Sequence, residues 1–166
     1  MVNLLKFRIS LIVVFSLMIL SGCQAYLAPA YDQAIFKGVT ENGELALRFF
    51  ADIEYGTERE NFYVREPVYN ELIGAFEALK IHTKARPIPN NKFLKKNNQH
   101  LKGRGINAMS EDYPSAFAFG EIVETFRMMK KVDRENGIKL IAIQAFKGQV
   151  EIYLDQAITY ESFLKR

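Results

Sequence analysis

One cysteine, Cys23, and two histidines, His82 and His100, bound the chemistry open to this chain. Metal sites in helical bundles draw on inward-facing Glu-x-x-His pairs, and the sequence has none. Glu121 and Glu124 stand three residues apart without a histidine partner and read as a solvated helix face. His82 and His100 flank a basic stretch and read as surface residues. Haem attachment requires Cys-x-x-Cys-His, and a strained serine elbow requires Gly-x-Ser-x-Gly; both are missing. Lys102-Gly103-Arg104-Gly105 carries glycine and charge without the spacing, or the preceding strand, of a phosphate-binding loop. Tyr31, Tyr69, Tyr153 and Tyr160 lie on or near apolar faces. They read either as amphipathic packing, with the hydroxyl partnered at the core edge, or as a ring-stacking site. The expectation is a non-catalytic protein with no metal and no cofactor.

One charged feature does rise above the background. Eight basic residues fall between Lys80 and Arg104, and no acidic residue occurs between Glu77 and Glu111. Lys92, Lys95, Lys96, Lys102 and Arg104 are the candidates for contact with an anionic envelope component or an acidic protein. Attraction of this kind fades with salt over about 8 Å. The bland alternative is a solvated loop. Nucleic acid is not expected, because Phe93 is the only aromatic in this stretch and base stacking needs more.

The beginning of the chain carries an address. Lys6 and Arg8 precede an apolar run from Ile9 to Leu20, broken only by Ser10 and Ser16. A positive start, an apolar centre and a small-residue site describe a secretory signal peptide. The run is short of the roughly 20 apolar residues that a spanning helix needs. It ends in Leu20-Ser21-Gly22-Cys23, which resembles the lipobox of bacterial lipoproteins. The resemblance implies that the Cys23 thiol receives a diacylglycerol, that a peptidase recognising Leu20, Ser21 and Gly22 cuts before it, and that the new amino terminus gains an N-acyl chain. Lipidation would also occupy a thiol that is otherwise unpaired in an exported protein. Gln24, by the same resemblance, implies sorting to the periplasmic face of the outer membrane in a Gram-negative host.

Three segments follow: residues 1–22 as a cleaved signal peptide, 23–30 as a lipid-anchored tether, and 31–166 as a helical domain. After cleavage, 20 basic residues face 19 acidic ones, so the finished protein is close to neutral. With 49% hydrophobic and 25% charged residues, its composition is that of a globular protein.

The domain must be built from amphipathic helices. Ile35, Val39, Ala46, Phe49, Phe50 and Ile53 keep helical spacing and predict a first helix over 31–55, with Gly56 as its stop. Thr57 and Glu60 fit a capping box and predict that a second helix opens at Thr57. Its stripe is Phe62, Tyr69, Leu72, Ile73, Phe76 and Leu79, and it should end near residues 82–85. Pro67 should kink or divide it. Residues 87–110 read as a long loop, docked by Phe93, Leu94, Leu101 and Ile106. Pro114 suits a first helical turn, with Phe117, Ile122, Val123, Phe126, Met129 and Val132 as the third stripe. Asn136-Gly137 either ends that helix or indents it. Ile138, Ile141, Ala145, Val150, Tyr153, Leu154, Ala157, Ile158 and Leu164 form the fourth. The fold expected is all-α: an antiparallel four-helix bundle with a kinked second helix and one long basic loop between helices 2 and 3.

The body is similar to a loose group of small, uncharacterised bacterial lipoproteins. The similarity rests on Tyr31-Asp32, on Arg65-Glu66-Pro67-Val68-Tyr69, and on Gln156 with Tyr160-Glu161. It implies a helical bundle and no activity. The function expected is a membrane-anchored binding or scaffolding module of the cell envelope. The alternative is an enzyme or enzyme regulator with a cleft between helix 2 and the long loop.

Overall fold

The structure, a computed structural model, describes residues 28–87 and 113–165. Four α-helices and one short 3-10 turn occupy them: α1 Gln33–Asp52, the turn Arg59–Asn61, α2 Phe62–Lys84, α3 Pro114–Asn136 and α4 Leu140–Phe163. No strand is present among the described residues. The lipobox, the tether up to residue 27 and the basic residues Lys92, Lys95, Lys96, Lys102 and Arg104 lie outside the described residues. So do the four expected loop docking points and the cleft expected between helix 2 and the loop.

The expected first stripe is buried in full: Ile35, Val39, Ala46, Phe49, Phe50 and Ile53 all face the core. Asp32 caps α1, its Oδ1 accepting from Ala34 N at 2.8 Å and Ile35 N at 3.4 Å, which satisfies two of the free N–H groups at the helix start. The helix therefore begins two residues later than the apolar pattern suggests. It passes through Gly43 without a break. Gly56, with φ +112°, completes the turn that follows.

α2 departs from the expectation at its start. Thr57 and Glu60 form no capping box. The 3-10 turn intervenes, and α2 opens at Phe62 with no side-chain cap. Thr57 is drawn away by a tertiary contact: its hydroxyl donates to Asp133 Oδ1 at 2.5 Å and accepts from Ile138 N at 2.7 Å. Pro67 lies inside a single helix and does not divide it. It sits in the second turn, where a missing N–H forfeits one backbone bond and the helix continues. The expected end near residues 82–85 agrees with the observed end at Lys84.

Pro114 takes the first position of α3, and Gly137, with φ 70° and ψ 173°, ends it. Phe117 is exposed, contrary to its expected place in the stripe, and so is Ile141 of α4. The buried face of α3 instead includes Ala116, Ala118 and Phe119 beside Ile122, Val123, Phe126 and Met129. Ala145 is exposed too, and Ile143 takes the buried position in the first turn of α4.

The helices pack in a ring. α1 lies against α2 and α4, and α3 lies against α2 and α4. Aromatic rings fill the centre: Phe126 of α3 stacks on Phe50 of α1 at 5.8 Å and on Phe76 of α2 at 6.4 Å. Phe49 meets Tyr69 edge-on at 4.9 Å. Val150, Leu154 and Ala157 of α4 complete the core. Each such ring buries 150–250 Å² as a rough general figure, so aromatic burial dominates the cohesion. No helix of the described residues is long and apolar enough to cross a membrane.

Candidate functional site

Among the described residues two carboxylates are fully buried: Asp133 near the C-terminus of α3 and Glu161 near the C-terminus of α4. A buried carboxylate persists only when its charge and lone pairs are met. The two centres meet that demand differently.

At Asp133 the demand is met in full. Arg65 Nε donates to Oδ2 at 2.7 Å and Arg65 Nη2 donates to Oδ1 at 2.8 Å, the side-on fork that fits a carboxylate. Tyr69 Oη donates to Oδ2 at 3.1 Å, and Thr57 completes the set at Oδ1. Arg65 Nη2 also donates to the Glu58 carbonyl at 2.8 Å. Arg65 and Tyr69 stand four residues apart, so one helix face presents both. This centre ties together the α1–α2 connection, α2, α3 and the α3–α4 connection. No lone pair is left for a substrate, and its chemistry is that of a structural clamp.

Burial, then the Asp133 carboxylate, pushes the Tyr69 phenol well above its ordinary value. The unfolded chain gives up this proton near pH 10, whereas the native protein keeps it. Stability from Tyr69 is therefore complete below about pH 10 and falls as pH rises beyond it, by up to roughly 1.4 kcal/mol per pH unit. Thermal unfolding between about pH 9 and 11 should lose less stability in Tyr69→Phe than in the wild type. A slope equal in both proteins would contradict this.

At Glu161 the demand is met in part. Arg86 Nη2 donates to Oε1 at 2.5 Å, and Ser115 Oγ donates to the same oxygen at 2.6 Å. Ser115 belongs to the first turn of α3, whose N-terminal dipole favours a negative charge there. Glu161 Oε2, Arg86 Nε, Arg86 Nη1 and Thr83 Oγ1 are buried and take no hydrogen-bond partner. The Arg86 side chain is 7% exposed and that of Glu161 0%. The Tyr113 ring lies under the Arg86 guanidinium at 5.8 Å, and Tyr113 Oη donates to the Pro87 carbonyl at 3.0 Å. Burial and the Glu161 carboxylate raise the Tyr160 phenol, with Arg86 acting the other way. Burial raises Tyr113, again opposed by Arg86. Arg86, paired here, is thus not part of a solvent-facing basic loop, and Lys80 pairs with Glu77 at 3.5 Å.

A third feature is an open groove of about 420 Å³ between the end of α1 and the start of α4. Phe50, Tyr55, Leu140 and Ile143 line it together with Glu54, Gln144 and Lys147.

The other sequence candidates are scattered. Glu124 pairs with Arg127 at 2.6 Å on an exposed face, as a solvated pair should. Glu121 accepts from Tyr153 Oη at 3.4 Å, and Tyr153 packs edge-on against Phe117 at 6.1 Å. His82 is exposed. No group of three or more His, Cys, Asp or Glu that could hold a metal occurs among the described residues.

Asp133 is absent from the sequence candidates and Arg86 enters them only as one of the eight basic residues between Lys80 and Arg104, although a signal exists for both buried acids. Ile122, Phe126, Met129 and Asp133 follow steps of four, three and four. Val150, Leu154, Ala157 and Glu161 repeat those steps. An acid in phase with an apolar stripe announces a buried charge, whose partner must then be found elsewhere in the chain. No family model, curated protein or solved structure matches this chain.

Proposed function

We propose that the chain is a non-catalytic lipoprotein of the bacterial cell envelope, whose helical body binds or scaffolds. The observation that carries this is Leu20-Ser21-Gly22-Cys23, placed directly behind a basic start and an apolar run. Diacylglycerol and an N-acyl chain on Cys23 would hold the protein on a membrane, since each buried CH₂ contributes about 0.8 kcal/mol and two or more chains anchor stably. Gln24 directs this reading to the periplasmic face of the outer membrane in a Gram-negative host.

The body is read as an antiparallel bundle with a bend in α2 at Pro67. Support for the antiparallel order comes from paired ends: Arg65, at the start of α2, meets Asp133, at the end of α3, while Arg86, just past α2, joins Ser115, at the start of α3, through Glu161. Asp133, whose four hydrogen bonds are all made within the protein, serves the frame. Lys92, Lys95, Lys96, Lys102 and Arg104 are assigned to an anionic envelope component or an acidic protein. Against anionic lipid, each would contribute about 1 kcal/mol near the surface.

The test is Cys23→Ser with metabolic labelling by radioactive palmitate. The wild type should take up label and fractionate with membranes. The variant should take up none and migrate as a larger, uncut precursor. Equal size and unchanged membrane fractionation in the variant would overturn the reading.

A further inference from the structure

We infer that the Arg86–Glu161 centre is a binding site for a neutral hydroxyl group, seated between the unpaired Arg86 N–H donors and the unpaired Glu161 Oε2. Three buried side chains, Thr83, Arg86 and Glu161, leave four polar atoms without a hydrogen-bond partner. Buried polar atoms in folded proteins are almost always satisfied, by protein, water or ligand. The chemistry of the missing partner follows from which atoms are spare.

Arg86 offers hydrogens on Nε and Nη1, and Glu161 offers a lone pair on Oε2. The two residues neutralise each other across a 2.5 Å contact. An anion placed against Arg86 would meet the Glu161 carboxylate at close range, and a cation against Glu161 would meet the guanidinium. Both lose by repulsion much of what they gain by attraction. A hydroxyl accepts from Arg86 and donates to Glu161 through one oxygen, with no added charge. Thr83 Oγ1 can do either with a second hydroxyl. Tyr113 and Tyr160 are half-buried and flank this centre, giving it an aromatic border. The same hydroxyl chemistry has two sources: an ordered water, or a sugar ring presenting adjacent hydroxyls.

The experiment is nuclear magnetic resonance of the full chain in polyoxyethylene detergent micelles, a detergent without sugar or charge. The Arg86 Nε–H signal is followed during separate titrations with N-acetylglucosamine and inorganic phosphate. A sugar source gives a saturable shift at roughly millimolar concentration, with cross-peaks to sugar protons. A water source gives a cross-peak to a long-lived water that sugar does not displace. Each of these results supports the site. Glu161→Gln replaces the spare acceptor by a donor and removes the negative charge. That variant should respond to phosphate at concentrations where the wild type shows no shift. Thr83→Val, nearly isosteric, should weaken sugar binding several-fold, or broaden the water cross-peak, while circular dichroism reports an intact helical fold. A wild-type Arg86 signal with neither a water nor a sugar cross-peak would overturn the inference. So would a wild-type phosphate response equal to that of Glu161→Gln.

Discussion

Asp133→Ala should lower the midpoint of thermal unfolding by roughly 10–20 °C, read by circular dichroism at the helical band. The substitution removes one partner from four hydrogen bonds at once. It leaves the Arg65 guanidinium, whose side chain is 13% exposed, facing a void where its counter-charge was. Breaking a buried pair from one side costs about 3–5 kcal/mol, because the orphaned charge keeps its desolvation penalty. The Tyr69 hydroxyl and the Thr57 hydroxyl lose the same acceptor. Asp133→Asn keeps the shape and part of the hydrogen bonding, and should fall between the wild type and alanine. Replacing both charges, as in Arg65→Met with Asp133→Leu, should recover part of the loss, since an apolar pair of similar volume escapes the desolvation term. An alanine variant that melts within about 2 °C of the wild type would show that the clamp contributes little.

Gly137→Ala should cost about 2–4 kcal/mol, an effect large for a single methyl group. Its φ of 70° with ψ of 173° is a conformation in which only glycine rests without strain. The added Cβ would also overlap the Thr57 carbonyl oxygen and stand 3.2 Å from Arg59 N. Backbone cannot swing aside as a flexible side chain can, so the connection between α3 and α4 must shift. That shift would disturb Thr57, which holds Asp133 and Ile138. The two substitutions share neighbours, and their costs should not add in a double variant. Gly148→Ala provides the opposite sign. Apart from its chain neighbours and the surrounding helix backbone, no atom of the described residues lies within 4 Å of a Cβ built there, and the residue is inside α4. Helix propensity then gives a gain of about 0.5–1 kcal/mol. Chemical denaturation of the three proteins side by side measures all of this. Equal stability of Gly137→Ala and the wild type would contradict the strain at that turn.

Much of the fold is legible in the sequence because helices announce themselves by period. Every residue of the expected α1 stripe is buried, and the ends of α2 and α3 fall where Lys84 and Gly137 place them. The departures have physical causes. Thr57-Glu58-Arg59-Glu60 has the local pattern of a capping box, but the Thr57 hydroxyl donates to the buried Asp133 carboxylate and accepts from Ile138 N instead. That carboxylate lies 76 residues away, beyond any local pattern. Phe117 reads as core because it is large, and Ala116 and Ala118 give no signal because they are small. The bundle buries the small residues where helices approach. α4 carries Ile141, Ile152 and Phe163 on exposed positions, so its apolar pattern nearly encircles it and period alone does not fix its inner face. The Glu161 centre is hidden for a related reason. Tyr160-Glu161 stands out only as a pair of letters, whereas its meaning depends on Arg86 and Ser115, which come from two other parts of the chain.

Lys165 stands over the Phe36 ring at 5.9 Å, which brings the last described residue beside the first turn of α1. With α1 and α4 side by side, the ring of helices closes on itself. Their contact is the one of greatest sequence separation, so in the natural order it carries the largest entropy of loop closure. A circular permutant, spliced from Lys165 to Ala28 and cut between α2 and α3, would keep every helix neighbour while making that contact local. Its native stability should barely change, while the α2–α3 contact becomes the one of greatest sequence separation.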